Sequence, residues 1–118
     1  MNQYLVIAST SPFSNAALKE ALDMALIFAA IDQKVNLLLQ GDALFALKSD
    51  QPIDTLGIKN YLKAFGTLSL YDIEKIFVCQ TSMKKLNLKI TDFAFDVETL
   101  NTNQKYELIN QQTQVVTL

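Results

Sequence analysis

Cys79 is the only thiol in the chain, and its surroundings could do sulfur chemistry. The stretch Leu70-Tyr71-Asp72-Ile73-Glu74-Lys75-Ile76-Phe77-Val78-Cys79-Gln80-Thr81-Ser82-Met83 reads as a polar turn, a short apolar strand, the cysteine and a helix start. A cysteine there lies at the carboxyl end of a sheet strand and the amino end of a helix, where open α/β sheets collect their functional groups. Free N–H groups and the helix dipole favour a thiolate in that position, and Lys84 and Lys85 downstream add positive potential. The arrangement suits a persulfide-carrying or redox cysteine. It equally fits a plain core role, because free cysteine packs as a small hydrophobe.

Other chemistries lack their residues. With no histidine, Ser-His and Cys-His catalysis and His-ligated metals are excluded within the chain. All ten basic residues are lysines, so bidentate arginine recognition of phosphate or bases is absent too. A net charge of −2 argues against broad electrostatic contact with nucleic acid. Ser9-Thr10-Ser11-Pro12 follows the first strand, where doubly wound folds often cradle phosphate, but it lacks the glycines of a nucleotide loop and reads better as helix-capping hydroxyls. Asp42, Asp72 and Glu74 read as a cap, a turn residue and a charge at a strand start rather than as a phosphoacceptor cluster. Neither a cofactor nor a metal is expected.

The elements that must position Cys79 follow from hydrophobic periodicity. Tyr4 to Ala8 and Lys34 to Leu39 are short apolar runs, read as buried strands. Between them a helix is expected from about Asn15 to Ile31, capped by Ser14. Leu18, Leu22, Ala25 and Ala29 form one apolar row on it. Ala21, Met24, Phe28 and Ile31 form a second, which needs its own cover, either a neighbouring helix or another subunit. Gly41-Asp42 ends the second strand, and Ala43 to Leu47 reads as a short helix capped by Asp42. Lys48 to Thr55 is a surface loop, and Leu56 to Phe65 a helix stopped at Gly66. A third strand covers Lys75 to Cys79, and a helix starts near Gln80 or Thr81. Phe93 to Val97 is expected as a fourth strand. Asn101 to Gln111 is a polar helix with Tyr106 and Ile109 inward, and Thr113 to Leu118 a fifth strand. Strand–helix alternation with apolar strands predicts a mostly parallel sheet covered by helices on both faces.

A chain of 118 residues fits one domain, 1–118, large enough to fold without metal or disulfide. One cysteine suits a reducing compartment. Met1-Asn2-Gln3 carries no positive n-region, and the longest apolar run, Met24 to Ile31, is too short to span a bilayer. A cytoplasmic protein without membrane contact is expected.

Four stretches together resemble the DsrE/DsrF-like family, and within it the DsrF-type (TusC) branch. They are the opening strand into Ser9-Thr10-Ser11-Pro12-Phe13 with Glu20-Ala21-Leu22-Asp23 on the helix; Gly41-Asp42-Ala43-Leu44-Phe45-Ala46-Leu47; Phe65-Gly66-Thr67-Leu68-Ser69-Leu70-Tyr71-Asp72-Ile73-Glu74; and Val78-Cys79 entering a helix. Leu70-Tyr71-Asp72-Ile73-Glu74 is the most specific part. The resemblance implies a three-layer α/β/α domain with a five-stranded sheet. It also implies a hetero-hexamer with TusB-like and TusD-like subunits, two copies of each. Such a complex passes persulfide sulfur to a TusE-like acceptor and on toward 2-thiolation of the tRNA wobble uridine. In the family the persulfide is carried chiefly by the TusD-type subunit, at the position matched here by Cys79, and Gln80-Thr81-Ser82-Met83 is bulkier than the run that follows the active cysteine. The resemblance therefore implies a structural or accessory subunit with Cys79 as an accessory thiol. Two alternatives stand beside it: an independent sulfurtransferase carrying persulfide on Cys79, and a flavodoxin-like ligand-binding domain, for which Ser9 to Phe13 is a poor phosphate loop.

Overall fold

Three consecutive leucines, Leu37, Leu38 and Leu39, have no exposed surface. Successive strand residues point to opposite faces, so such a run requires cover on both sides of the sheet. The computed structural model, which describes residues 3–9, 17–31, 34–47, 65–66, 68–71, 73 and 76–118, supplies that cover. Its strands are β1 (Gln3–Ala8), β2 (Lys34–Leu39), β3 (Ile76–Cys79), β4 (Val97–Leu100) and β5 (Gln114–Thr117). They form one five-stranded sheet in the order β4-β3-β2-β1-β5, and every pairing is parallel. The most apolar strands, β1, β2 and β3, are interior. The more polar β4 and β5 stand at the edges, where half-exposure costs little.

The helices are α1 (Ala17–Ala30), α2 (Gln80–Leu86) and α3 (Thr102–Asn110). On one face α1 buries Ala21, Leu22 and Ala25, and α2 buries Met83, against Val6, Ala8, Leu37, Leu39 and Val78. A 3₁₀ segment, Gly41–Leu47, joins them through Ala43, Leu44, Ala46 and Leu47. Tyr4 and Phe28 stack here, ring centroids 4.9 Å apart, which ties the end of α1 to the start of β1. On the other face Leu108 and Ile109 of α3 pack on Leu5, Ile7, Leu38 and Leu100. The change of face follows from chain direction. β1 to β4 advance one way across the sheet, whereas β4 to β5 returns, and a crossover of constant hand must then use the opposite face.

Several expected elements move. The fourth strand is Val97–Leu100, not Phe93 to Val97. The alternation at Phe93 and Phe95 instead plugs two aromatic rings into the core: Phe93 is buried, and Phe95 meets Phe65 at 5.9 Å. The Ala94 N–H donates to the Leu47 carbonyl at 2.8 Å, so this segment is tied to the 3₁₀ segment rather than to the sheet. That segment begins at Gly41, with Asp42 in its first turn. Gly66 does not adopt the left-handed conformation expected of a helix stop. Tyr106 faces outward, 56 % exposed, and Leu108 takes its expected place beside Ile109. The second apolar row of α1 is only partly covered: Ala21 is buried and Met24 and Phe28 pack on the core, while Ile31 is 61 % exposed, and Ile27, which belongs to neither expected row, is 62 % exposed. The expected loop and helix between Lys48 and Ala64, and the Ser14 cap, lie outside the described residues. Among the described residues no helix is long and apolar enough to cross a membrane.

Candidate functional site

Parallel register aligns the carboxyl ends of the strands. Ala8 pairs with Leu39, Leu39 with Val78, and Cys79 with Leu100. Ser9, Gln40 and Cys79 therefore lie level on one edge of the sheet. At this edge β3 sends its helix to one face and β4 sends its helix to the other, the switch point at which open α/β sheets leave a crevice.

Cys79 ends β3 and is itself the N-cap of α2, with φ −78° and ψ 119°. The expected cap, Gln80 or Thr81, is displaced by one residue because the strand runs into the helix without a linker. The thiol is buried, 6 % exposed. No closed side-chain cap bond forms on the sulfur, which is a weak and long-reaching acceptor. Burial pushes the Cys79 thiol up. The Ser82 N–H and hydroxyl, the Lys105 ammonium and the Thr81 N–H together outweigh burial and hold the thiol below its ordinary value. Ser82 is itself fixed, since its Oγ accepts from the Gly41 N–H at 2.8 Å. That bond leaves the hydroxyl proton available to the sulfur.

Gly41 has φ +56°, which lets the chain turn sharply from β2 into the 3₁₀ segment and aim its N–H at Ser82. Lys105, one turn into α3, donates from Nζ to Gln40 Oε1 at 3.3 Å, and Gln40 Nε2 donates to Ser9 Oγ at 3.1 Å. α3 is held at its start by Asn101, whose side chain accepts from the Gln104 N–H at 2.9 Å while Gln104 Oε1 accepts from the Asn101 N–H at 2.9 Å.

The arrangement brings together some expected residues and separates others. Cys79 stands where the sequence places it. Lys84 and Lys85, expected to supply positive potential, lie exposed in the last turn of α2, and the charge that acts on the thiol is that of Lys105. Ser9 is in the site as the anchor of Gln40, not as part of a phosphate loop. Thr10 to Phe13, Asp72 and Glu74 are outside the described residues. Gln40, Ser82 and Lys105 were missed by sequence reasoning. A polar residue directly after an apolar strand, as Gln40 is, was the available signal. Among the described residues no group of three or more His, Cys, Asp or Glu side chains could hold a metal ion. A shallow apolar hollow lined by Phe65, Leu68, Ile73, Ile76, Phe95 and Asp96 opens near the start of β3, at the opposite edge from Cys79, and holds no nucleophile. Chemically, the edge offers one sulfur biased toward its anion and screened from bulk water.

A family model described as the DsrE/DsrF-like family matches residues 2–118. The chain is 28 % identical over 116 residues to "Protein TusC homolog" of Vibrio vulnificus, covering 98 % of both chains. It is 33 % identical over 101 residues to "Protein TusC" of Klebsiella pneumoniae, covering 85 % of each. Among solved structures, the ychN protein of E. coli superposes over the whole of both chains with a TM-score of 0.80 at 18 % identity. A protein of unknown function from Methanobacterium thermoautotrophicum does so with a TM-score of 0.73 at 9 % identity. At these identities the two structures speak for the fold alone.

Proposed function

The chain belongs to the DsrE/DsrF-like family and within it to the TusC group, and from that premise we propose that it is a subunit of a cytoplasmic sulfur-relay complex. The complex contains TusB-like and TusD-like sisters, two copies of each subunit, and passes persulfide sulfur to a TusE-like acceptor toward 2-thiolation of the tRNA wobble uridine. The subunit touches neither the nucleic acid nor a membrane, and residues 1–118 act as one domain. The observation that carries this reading is the likeness to TusC relatives over nearly the full length of both chains.

The role is structural or accessory. A thiol that receives sulfur must be reached by the donor's persulfide, and Cys79 is 6 % exposed. Ile27 on α1 and Ile31 just past its end, by contrast, are strongly exposed and supply apolar surface that a sister subunit would cover. Copurification from the host tests the assignment. The native mass should be that of a hetero-hexamer, Ile27→Glu with Ile31→Glu should release this subunit, and Cys79→Ser should leave thiolation intact. A monomer that ignores its sisters at working concentration would refute it.

The lowered thiol pKa favours a second reading, a persulfide carrier in its own right. There the Cys79 thiolate attacks the terminal sulfur of a donor persulfide, the donor S–S bond breaks, the donor leaves as thiolate, and the new disulfide bond holds a terminal anionic sulfur on Cys79. Loss of sulfur transfer in Cys79→Ser, with persulfide mass found on the wild-type chain, would select this reading over the first.

A further inference from the structure

The path of α3 has a consequence for Cys79. The helix leaves the end of β4, where Leu100 pairs with Cys79, and packs Leu108 and Ile109 on Leu5, Ile7 and Leu38 of β1 and β2. β3 lies between β4 and β2. The first turns of α3 must therefore pass the end of β3, and Lys105 is carried on that passage. Its ammonium has a partner in the protein. Nζ donates to Gln40 Oε1 at 3.3 Å, and the same amide donates from Nε2 to Ser9 Oγ at 3.1 Å. Ser9, Gln40 and Cys79 are level in register. The ammonium is thus tied to residues that lie level with Cys79 in the sheet.

The residue type at position 40 fits this task. A lysine side chain carries about 2 kcal/mol of rotamer entropy and stays in water unless something holds it. A carboxylate would hold it but cancel its charge. An amide holds it and leaves the charge in force, and its own orientation is fixed because one end must accept from Lys105 and the other donate to Ser9. Charged groups on the surrounding elements are Asp42 in the 3₁₀ segment, Lys84 and Lys85 on α2, Glu98 on β4 and Lys105 on α3, and the Lys105 charge favours the thiolate.

We propose that Gln40 is a positioning residue which, anchored on Ser9, holds the Lys105 ammonium across the end of β3 so that it stabilises a negatively charged sulfur on Cys79, thiolate or persulfide. The inference rests on the reading of Cys79 as a sulfur-handling thiol.

Cys79 is the only thiol, so its alkylation by iodoacetamide can be followed by intact mass on the full chain alone, as a function of pH. Lys105→Met should move the midpoint of the rate profile up and slow alkylation near pH 7 roughly three- to tenfold. Gln40→Leu should move it the same way by a smaller factor. Lys105→Arg should keep the wild-type profile. The double variant Gln40→Leu with Lys105→Met should match Lys105→Met alone, because Gln40 acts only through the ammonium. A wild-type profile in Gln40→Leu, or one that adds fully to that of Lys105→Met, overturns the proposal. Should Gln40→Leu lose its fold by circular dichroism, Gln40→Glu keeps the size and the acceptor. It should slow alkylation by neutralising Lys105, and an unchanged profile there overturns the proposal equally. No donor, acceptor or sister chain enters this assay, so its result is separate from the native-mass result that tests the relay reading.

Discussion

Replacing Gly41 by alanine should destabilise the protein and disturb the thiol together. Two costs add. An alanine at φ +56° sits in the left-handed region, at about 1–2 kcal/mol relative to its preferred backbone. The new Cβ would also lie 3.2 Å from the Ser9 carbonyl oxygen. That oxygen cannot swing aside as a side chain would. It belongs to the backbone just past β1, where the Ser9 N–H donates to the Leu118 carbonyl at 3.2 Å and the Gln40 N–H donates to the Ala8 carbonyl at 3.0 Å. Moving it by a few tenths of an ångström costs a further ~0.5–1 kcal/mol. The total, about 1.5–3 kcal/mol, should lower the melting temperature by roughly 5–15 °C for a chain of this length. Gly41→Asn should lose less, because asparagine tolerates the left-handed region, and what remains measures the contact alone. The Gly41 N–H also fixes Ser82 Oγ, so both variants should slow iodoacetamide alkylation of Cys79 at neutral pH. Thermal unfolding by circular dichroism and alkylation by intact mass check the two arms. A Gly41→Ala protein melting within about 2 °C of wild type would refute the reasoning, because neither the backbone nor the contact term would then exist.

The folded Cys79 pKa lies below its unfolded value. Between the two, the unfolded chain holds a proton that the folded chain has released, so stability rises with pH across that window. The gain is fully present above the ordinary thiol value, about 8.5, and is lost as pH falls through the folded value. Urea unfolding from about pH 6 to about pH 9 should show this rise in wild type and not in Cys79→Ala. Leu38→Ala should cost about 2–5 kcal/mol, since Leu38 is fully buried under α3; denaturant midpoints measure it. Asn101→Ala removes the cap of α3 and should cost about 1 kcal/mol in the same assay.

Most of the sheet was legible because its strands are locally unambiguous. Lys34 to Leu39 is found with the bounds its apolar run predicts, and β1, β3 and β5 differ from expectation by a residue or two at their ends. Phe93 to Asp96 misled for a physical reason. An alternating pattern reports only that every second residue is buried, and two phenylalanines reaching into the core from an irregular segment satisfy it as well as a strand does. Tyr106 misled similarly. On a polar helix of nine residues the large aromatic looked like the inward residue, but the register set by the Asn101 cap turns Leu108 and Ile109 inward instead.

The candidate site was legible only where it is local. Cys79 could be found because strand end, thiol and helix start are contiguous, and Ser82 follows within one turn. Lys105 could not, because its approach depends on α3 crossing back to the second face, a property of strand order rather than of any window of sequence. The lysines that sequence proximity favoured, Lys84 and Lys85, were the wrong ones for a geometric reason. A helix that starts at the sulfur carries its last turn away from it, and α2 places both lysines there. The charge that matters must come from another element at the edge, and among the described residues the passage from β4 to β5 supplies it. The same logic separates the protein's two candidate surfaces. The carboxyl edge gathers groups from β1, β2, β3 and α3 around one buried sulfur, whereas the exposed isoleucines at 27 and 31 need no such convergence, and Ile31 already belongs to an apolar row of the sequence. Assembly of the complex and the state of the thiol are therefore predicted to respond to different substitutions: Ile27→Glu with Ile31→Glu should disrupt the first, and Gln40→Leu or Lys105→Met should shift the second.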